Sequence, residues 1–320
     1  MRKVVRILVG VVVVLLALVA GAYAWASVAT SRVTSRVWAT HEVDFPVPYP
    51  VEDEAGIDVA GDADREQLAL ARARERGRHL VQSRYVCAEC HGANFGGGVM
   101  VDAFPIGRFL APNITTGEGG RTIGFTPTDW DRIVRHGIRR DGTPAVMPSE
   151  DFKDMSDQEL SDIIAYLQSV PPVDNVVPRS TFGPLGKFLV ATGELLAPES
   201  MLTSTEPHLR VPPPTEASVE FGRHIATVCT GCHRADFTGG PIRGGDPSWP
   251  PAANLTPNPG EFGDWTEEQF VAALRTSVRA DGSALQPPMT LVAPYAQRMS
   301  DVEIEALWLF LRSLPASPTQ

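Results

Sequence analysis

Cys87-Ala88-Glu89-Cys90-His91 is a short stretch with one specific chemistry. The chain carries it twice, the second time as Cys229-Thr230-Gly231-Cys232-His233. Two cysteines three apart, with a histidine directly after the second, form the attachment signature of c-type haem. Each thiol adds to a vinyl group of the porphyrin, and the adjacent imidazole is then placed under the iron. A four-thiolate zinc site would use neither histidine, and a redox dithiol needs only one pair. The chain has four cysteines in all, so the reading is two covalently attached haem c groups, one held by Cys87, Cys90 and His91, the other by Cys229, Cys232 and His233.

The repetition extends outward from both motifs. Upstream, Gly77-Arg78-His79 matches Gly222-Arg223-His224; downstream, Asn94-Phe95-Gly96-Gly97-Gly98 matches Asp236-Phe237-Thr238-Gly239-Gly240. The glycines are expected to let backbone pass close to the porphyrin. Asn113-Ile114-Thr115 and Asn254-Leu255-Thr256 are glycosylation sequons in form, but their recurrence points to a role in the haem loop instead. Thr126-Pro127-Thr128-Asp129 and Thr266-Glu267-Glu268-Gln269 each start a short helix. Trp130, Ile133 and Val134 form the apolar face of the first; Phe270, Val271, Leu274 and Val278 form that of the second. Ser156-Asp157-Gln158-Glu159 and Ser300-Asp301-Val302-Glu303 are capping boxes before closing helices. Their stripes, Leu160, Ile163, Ile164, Leu167 and Ile304, Leu307, Trp308, Leu311, have amphipathic spacing. An internal duplication of about 142 residues follows from these offsets.

Histidine leaves one face of the iron open, so the sixth ligand separates an electron carrier from an oxygen- or small-molecule-binding site. Met147 lies 56 residues after His91, and Met289 lies 56 residues after His233. Both stand beside prolines in what read as stiff loops. Met155 and Met299 are less evenly spaced and precede helix N-caps, where they suit a hydrophobic staple. The expected iron ligands are therefore His91 with Met147 and His233 with Met289. Met100 and Met201 have no counterparts and read as packing residues. His79 and His224 read as structural, and His41, His136 and His208 do not recur. Arg121, Arg132, Arg135, Arg139 and Arg140 form a basic stretch in the first repeat only, either a solvated face or a set of partners for haem propionates or an acidic protein.

The N-terminus is of a different kind. Arg2, Lys3 and Arg6 precede 20 uncharged residues, Ile7 to Ala26, enough as a helix to cross about 30 Å of bilayer. A membrane anchor is expected, with a cleaved signal peptide as the alternative; the basic flank places the N-terminus in the cytoplasm. Haem attachment of this kind takes place outside the cytoplasmic membrane, so the haem domains belong on the periplasmic side of the inner membrane. Between Val37 and Asp64 there are eight acidic residues and no lysine or arginine, read as a solvated arm or a surface that steers a basic partner. The net charge of −10 excludes the basic footprint of a nucleic-acid binder. The organisation expected is all-α: an anchor helix over 1–29, a Pro-containing tether over 30–64, a haem domain over 65–172, a Pro-rich connector over 173–214 with a short helix near Leu185–Leu196, and a second haem domain over 215–320.

With these residues in place the chain resembles tandem class I c-type cytochromes, in particular membrane-bound dihaem proteins and the cytochrome subunits of periplasmic dehydrogenases. The resemblance covers 65–172 and 215–320. It implies the cytochrome c fold and one-electron transfer, without catalysis of its own, between a periplasmic donor such as a dehydrogenase and a respiratory-chain acceptor. It also implies a backbone carbonyl that orients each proximal histidine. Pro112 holds that place in the first repeat and Ala253 in the second. Two other readings stand beside it: a dihaem peroxidase-like enzyme, which needs a displaceable axial ligand, and a cytochrome subunit that works only within a dehydrogenase or oxidase complex.

Overall fold

A computed structural model of the chain describes residues 2–50, 62–196, 199–242, 245–246 and 248–319. The first helix, α1 (Arg2–Ser35), is long and apolar enough to cross a membrane, and its most apolar window has a mean hydropathy of 2.9 with no residue buried. It continues past residue 29 into the stretch read as tether, because no Gly or Pro interrupts the chain between Gly21 and Pro46. Beyond it the chain is extended, and it is not a free tether. Val43, Phe45, Val47 and Tyr49 alternate onto the first domain's core, where Phe45 and Tyr49 are buried. Thr128 Oγ1 bonds both the amide and the carbonyl of Val43, and Ser161 Oγ donates to the carbonyl of Pro46. This segment is a strap. Glu52, Asp53, Glu54 and Asp58 of the acidic arm lie outside the described residues.

The first haem domain begins with α2 (Asp62–His79), continues through a π-helical turn (Leu80–Arg84), and reaches the attachment motif on α3 (Cys87–His91). A hairpin follows, β1 (Gly98–Ala103) and β2 (Gly107–Ala111), antiparallel with Gly98 opposite Ala111. Then come α4 (Pro127–Arg135) and the closing helix α5 (Asp157–Leu167). In the connector, β3 (Thr181–Phe182) adds to β2, so a small three-stranded sheet sits on a largely helical protein. The connector also holds α6 (Pro184–Ala191) and α7 (Glu199–Leu202). Helix α6 packs against α1: Thr30 Oγ1 donates to the carbonyl of Lys187, and Trp25 meets Phe188 edge-on.

The second domain repeats the plan without a sheet among its described residues: α8 (Val219–Ile225), a 3₁₀ turn (Ala226–Cys229), α9 (Thr230–His233), α10 (Glu267–Thr276), α11 (Met289–Ala296) and α12 (Asp301–Ser313). Both predicted capping boxes form, at Ser156/Glu159 and Ser300/Glu303, and the two helix starts at Thr126/Asp129 and Thr266/Gln269 close capping boxes as well. Val278 does not belong to the buried face of α10. Ser277 turns left-handed and ends the helix, leaving Val278 exposed.

In each domain the leading helix crosses the closing helix at the shared glycine. A Cβ on Gly77 would collide with the carbonyl oxygen of Asp162, and one on Gly222 with that of Ala306. Only glycine permits this approach. The recurrent tripeptide is thus a helix-crossing signature. Behind the crossings lie two apolar cores, one around Tyr85, Phe95, Trp130, Leu160 and Ile164, the other around Phe221, Phe237, Phe270, Ile304 and Phe310.

Candidate haem sites

A short helix carries the cysteines and histidine of the first motif, and a 3₁₀ turn running into a short helix carries those of the second. In the first domain they open into a cavity of about 540 Å³ lined by Cys87, Cys90, His91, Pro112, Trp130 and Met147, within the range of cofactor pockets. His91 Nδ1 is 2.9 Å from the carbonyl oxygen of Pro112. A carbonyl only accepts, so Nδ1 carries the hydrogen and Nε2 keeps its lone pair for a metal. His233 Nδ1 makes the same bond, 2.8 Å, to the carbonyl of Ala253. The proline is therefore dispensable to this contact. Burial lowers the pKa of both histidines against the opposing effect of these carbonyls, which favours the neutral, ligating form. Burial also pushes the Cys87 and Cys229 thiols up to about 12, unlike the acidic thiol of a redox dithiol. Half-buried cysteines and imidazoles with a free Nε2 fit covalently held haem.

The asparagine loops support these carbonyls. Asn113 Oδ1 accepts from the amide and hydroxyl of Thr115, and its Nδ2 donates to the carbonyl of Val173 at 2.6 Å. Asn254 does the same with Thr256 and the carbonyl of Ser317. Both asparagines are buried, which ties each haem loop to the chain leaving the closing helix. Two of the glycines after the motifs serve that loop. Gly97 and Gly239 have positive φ, and a Cβ on either would strike the backbone just before the asparagine.

Met147 lies in a loop, as expected; Met289 is the first residue of α11 rather than part of a loop. Both are half-buried. Met155 and Met299 are buried in the two cores, as staples would be. Met100, read from sequence as a packing residue, also lines the first cavity from β1, together with Met155. The basic stretch divides. Arg121, Arg139 and Arg140 line the cavity with Arg179 of the connector, whereas Arg132 bonds Thr40 and Arg135 is fully buried between Asp131 and Asp157.

The two sites meet at a reciprocal junction that no local sequence signal announces. The amide of Gly231, inside the second motif, donates to Asp151 Oδ1 at 3.0 Å, four residues past Met147. Tyr295 Oη, six residues past Met289, donates to Glu89 Oε1 inside the first motif at 3.0 Å. Beside them His79 Nε2 lies 2.9 Å from Glu303, and His224 Nε2 lies 2.8 Å from Glu159. Arg84 joins both carboxylates, at 2.9 Å to Glu159 and 2.6 Å to Glu303. The histidine and arginine partners hold both glutamates at a pKa of about 2 despite burial. Asp151 has only the Gly231 amide against burial and rises to about 7.

Comparison with known proteins agrees with this architecture. Residues 72–167 match the family model of cytochrome c oxidase, cbb3-type, subunit III, and residues 219–315 match that of cytochrome c. The chain is 30% identical over 291 residues to the cytochrome c subunit of alcohol dehydrogenase (quinone) from Gluconacetobacter polyoxogenes, an alignment covering 78% of this chain and 59% of the relative. It is 27% identical over 262 residues to the fructose dehydrogenase cytochrome subunit of Gluconobacter japonicus, covering 75% and 52%. It is 24% identical over 257 residues to a diheme cytochrome c-type protein of Cereibacter sphaeroides, covering 72% and 82%. The chain thus spans between about a half and three-fifths of the length of these two dehydrogenase subunits. Two cytochrome c domains in one chain, each with its attachment motif and oriented histidine, carry two covalently attached haem c groups, and the chain belongs to the tandem c-type cytochromes.

Proposed function

We propose that this chain is a membrane-tethered electron-transfer subunit that relays single electrons from a periplasmic dehydrogenase to a respiratory acceptor. In this reading His91 with Met147, and His233 with Met289, are the axial pairs. Bound haem c supplies a one-electron iron couple, whose potential the protein sets through axial ligand, burial and hydrogen bonding. The carbonyls of Pro112 and Ala253 orient the histidines. Arg121, Arg139, Arg140 and Arg179 offer charge-assisted bonds to propionates at the first site. Helix α1 anchors the chain with Arg2, Lys3 and Arg6 on the cytoplasmic side, which puts both domains in the periplasm.

The carrying observation is the reciprocal junction: each motif touches the segment that bears the other domain's candidate methionine. Such a junction keeps the two centres at a fixed spacing, which a relay requires and a pair of independent binding sites does not. Met147 is preferred over Met100 because it shares its 56-residue spacing with Met289.

Met147→Ala and Met289→Ala are each expected to remove half of the Met–iron charge-transfer band of the ferric protein and to let one haem per chain bind carbon monoxide, while Met100→Ala does neither. Rapid peroxide turnover or carbon monoxide binding by the unmodified protein would favour the peroxidase-like reading instead. Co-purification with a dehydrogenase from detergent-solubilised membranes tests the subunit role, and recovery as a lone monomer would count against it.

A further inference from the structure

The three histidines without counterparts converge on one point. His41 lies on the strap, Asp131 on α4, His136 just past its end, and His208 in the connector. Ligand atoms of His41, Asp131 and His208 all lie within 4.8 Å of one another. His136 Nε2 is 3.4 Å from Asp131 Oδ2, and His208 Nε2 is 3.3 Å from Asp131 Oδ1. The three imidazole centroids are 5.7, 5.8 and 6.2 Å apart.

Asp131 is fully buried and His136 is 2% exposed, while His41 and His208 are half-buried. His136 Nδ1 is 3.0 Å from the carbonyl oxygen of Met201, so that nitrogen carries the hydrogen and Nε2 presents a lone pair. His41 Nδ1, Asp131 Oδ2, His136 Nε2 and His208 Nε2 are all buried without a hydrogen-bond partner among the described residues. Leaving four polar atoms in this state is costly. The 3.4 Å from His136 Nε2 to Asp131 Oδ2 is close to the edge of a tetrahedron whose centre lies about 2.0–2.1 Å from each corner, the bond length of zinc to nitrogen and carboxylate oxygen, while His208 Nε2 stands 3.3 Å from the other oxygen, Oδ1. Arg135 Nη1 binds Asp131 Oδ1 at 3.1 Å and Asp157 at 2.8 Å. Its charge is therefore shared with a second carboxylate, and Oδ2 stays free for an ion.

We propose that His41, Asp131, His136 and His208 bind one zinc ion in a closed, four-coordinate structural site. Three imidazoles and a carboxylate, with no thiolate and no open position, suit zinc in that role. The ion would pin the strap after α1 and the connector to α4, three segments distant in sequence. Two of them also cover the first domain: the strap packs its core, and residues 177–180 of the connector wall its cavity.

The test uses the full-length, haem-loaded protein in detergent, prepared without a histidine tag and dialysed against a chelator. Elemental analysis is expected to give one zinc for every two irons, and zinc-edge X-ray absorption a shell of four nitrogen or oxygen atoms. His41→Gln and His208→Gln are each expected to lower retained zinc at least tenfold with the haem spectrum unchanged. His208→Asp, which keeps a zinc-binding atom, restores it and so separates ligation from misfolding. A protein that neither retains zinc nor takes it up from micromolar solution would overturn the proposal, as would variants that retain zinc undiminished, or stoichiometric copper in its place.

Discussion

The two haem domains are built to the same plan and enclosed differently. Both have a glycine-pinned helix crossing, a carbonyl-oriented histidine, an asparagine-threonine loop and a capped closing helix. The first is also wrapped by the strap, a β-hairpin and the connector, and its cavity wall carries four arginines. The second has no such wrapping among its described residues. Repetition marks what the cofactor demands, and asymmetry marks what distinguishes one centre from the other. With the proposed His/Met pair at both sites, enclosure and charge are the features that would set the two potentials apart.

Arg84 is the least symmetric part of the junction. The His79–Glu303 and His224–Glu159 bonds are a symmetric pair, but the arginine that joins both glutamates comes from the first domain alone. Arg84→Met leaves two buried carboxylates with a capping serine and a histidine each, and no arginine. A loss of about 3–5 kcal/mol is expected, because removing one partner strands the other's charge, and urea unfolding followed by circular dichroism measures it.

The helix crossings test the equivalence itself. Gly77→Ala and Gly222→Ala each drive a methyl group into a carbonyl of the closing helix, and each should cost about 2–4 kcal/mol. Equal losses would show that the crossing serves both domains alike. A large loss in one alone would show that the strap or connector compensates in the other.

The junction also gives two opposite pH dependences. Glu159 and Glu303 titrate near 2 in the folded chain against an ordinary 4.5. Their stabilisation is present above about pH 4.5 and is lost as pH falls toward 2. Asp151 rises from 3.8 to about 7. Its contribution is present below about pH 4 and is lost as pH climbs to 7. Urea midpoints between pH 2 and 8 should show Glu303→Gln with a shallower acid limb and Asp151→Asn with a flatter slope between pH 4 and 7, each by on the order of 1–3 kcal/mol.

The smallest effect sharpens the asymmetry. Arg121→Gln removes an exposed positive charge from the first cavity wall, and should lower the potential of that haem alone by on the order of tens of millivolts in spectroelectrochemical titration. The shift should shrink with added salt.

What could be read from sequence was whatever the chain states locally or says twice. The attachment motifs, the capping boxes, the equal methionine spacings and the connector helix are all of that kind. The strap was legible in principle, since Val43, Phe45, Val47 and Tyr49 alternate with polar residues and prolines, but the prolines suggested a tether. The sheet was not legible: β3 has two residues and owes its existence to β2, some 70 positions earlier. Glu159 and Glu303 were legible only as capping residues. That each also binds a histidine of the other domain depends on packing across more than 60 residues of sequence, and in one case more than 200.

The reciprocity of those bonds has a consequence for concentration. A histidine of each unit meeting the capping glutamate of the other is the contact pattern of a self-complementary two-fold interface between identical subunits. Here the connector joins the halves, so their pairing is intramolecular and proceeds at a local concentration on the order of millimolar, however dilute the protein. However few copies of this chain are present, each haem stands beside its neighbour.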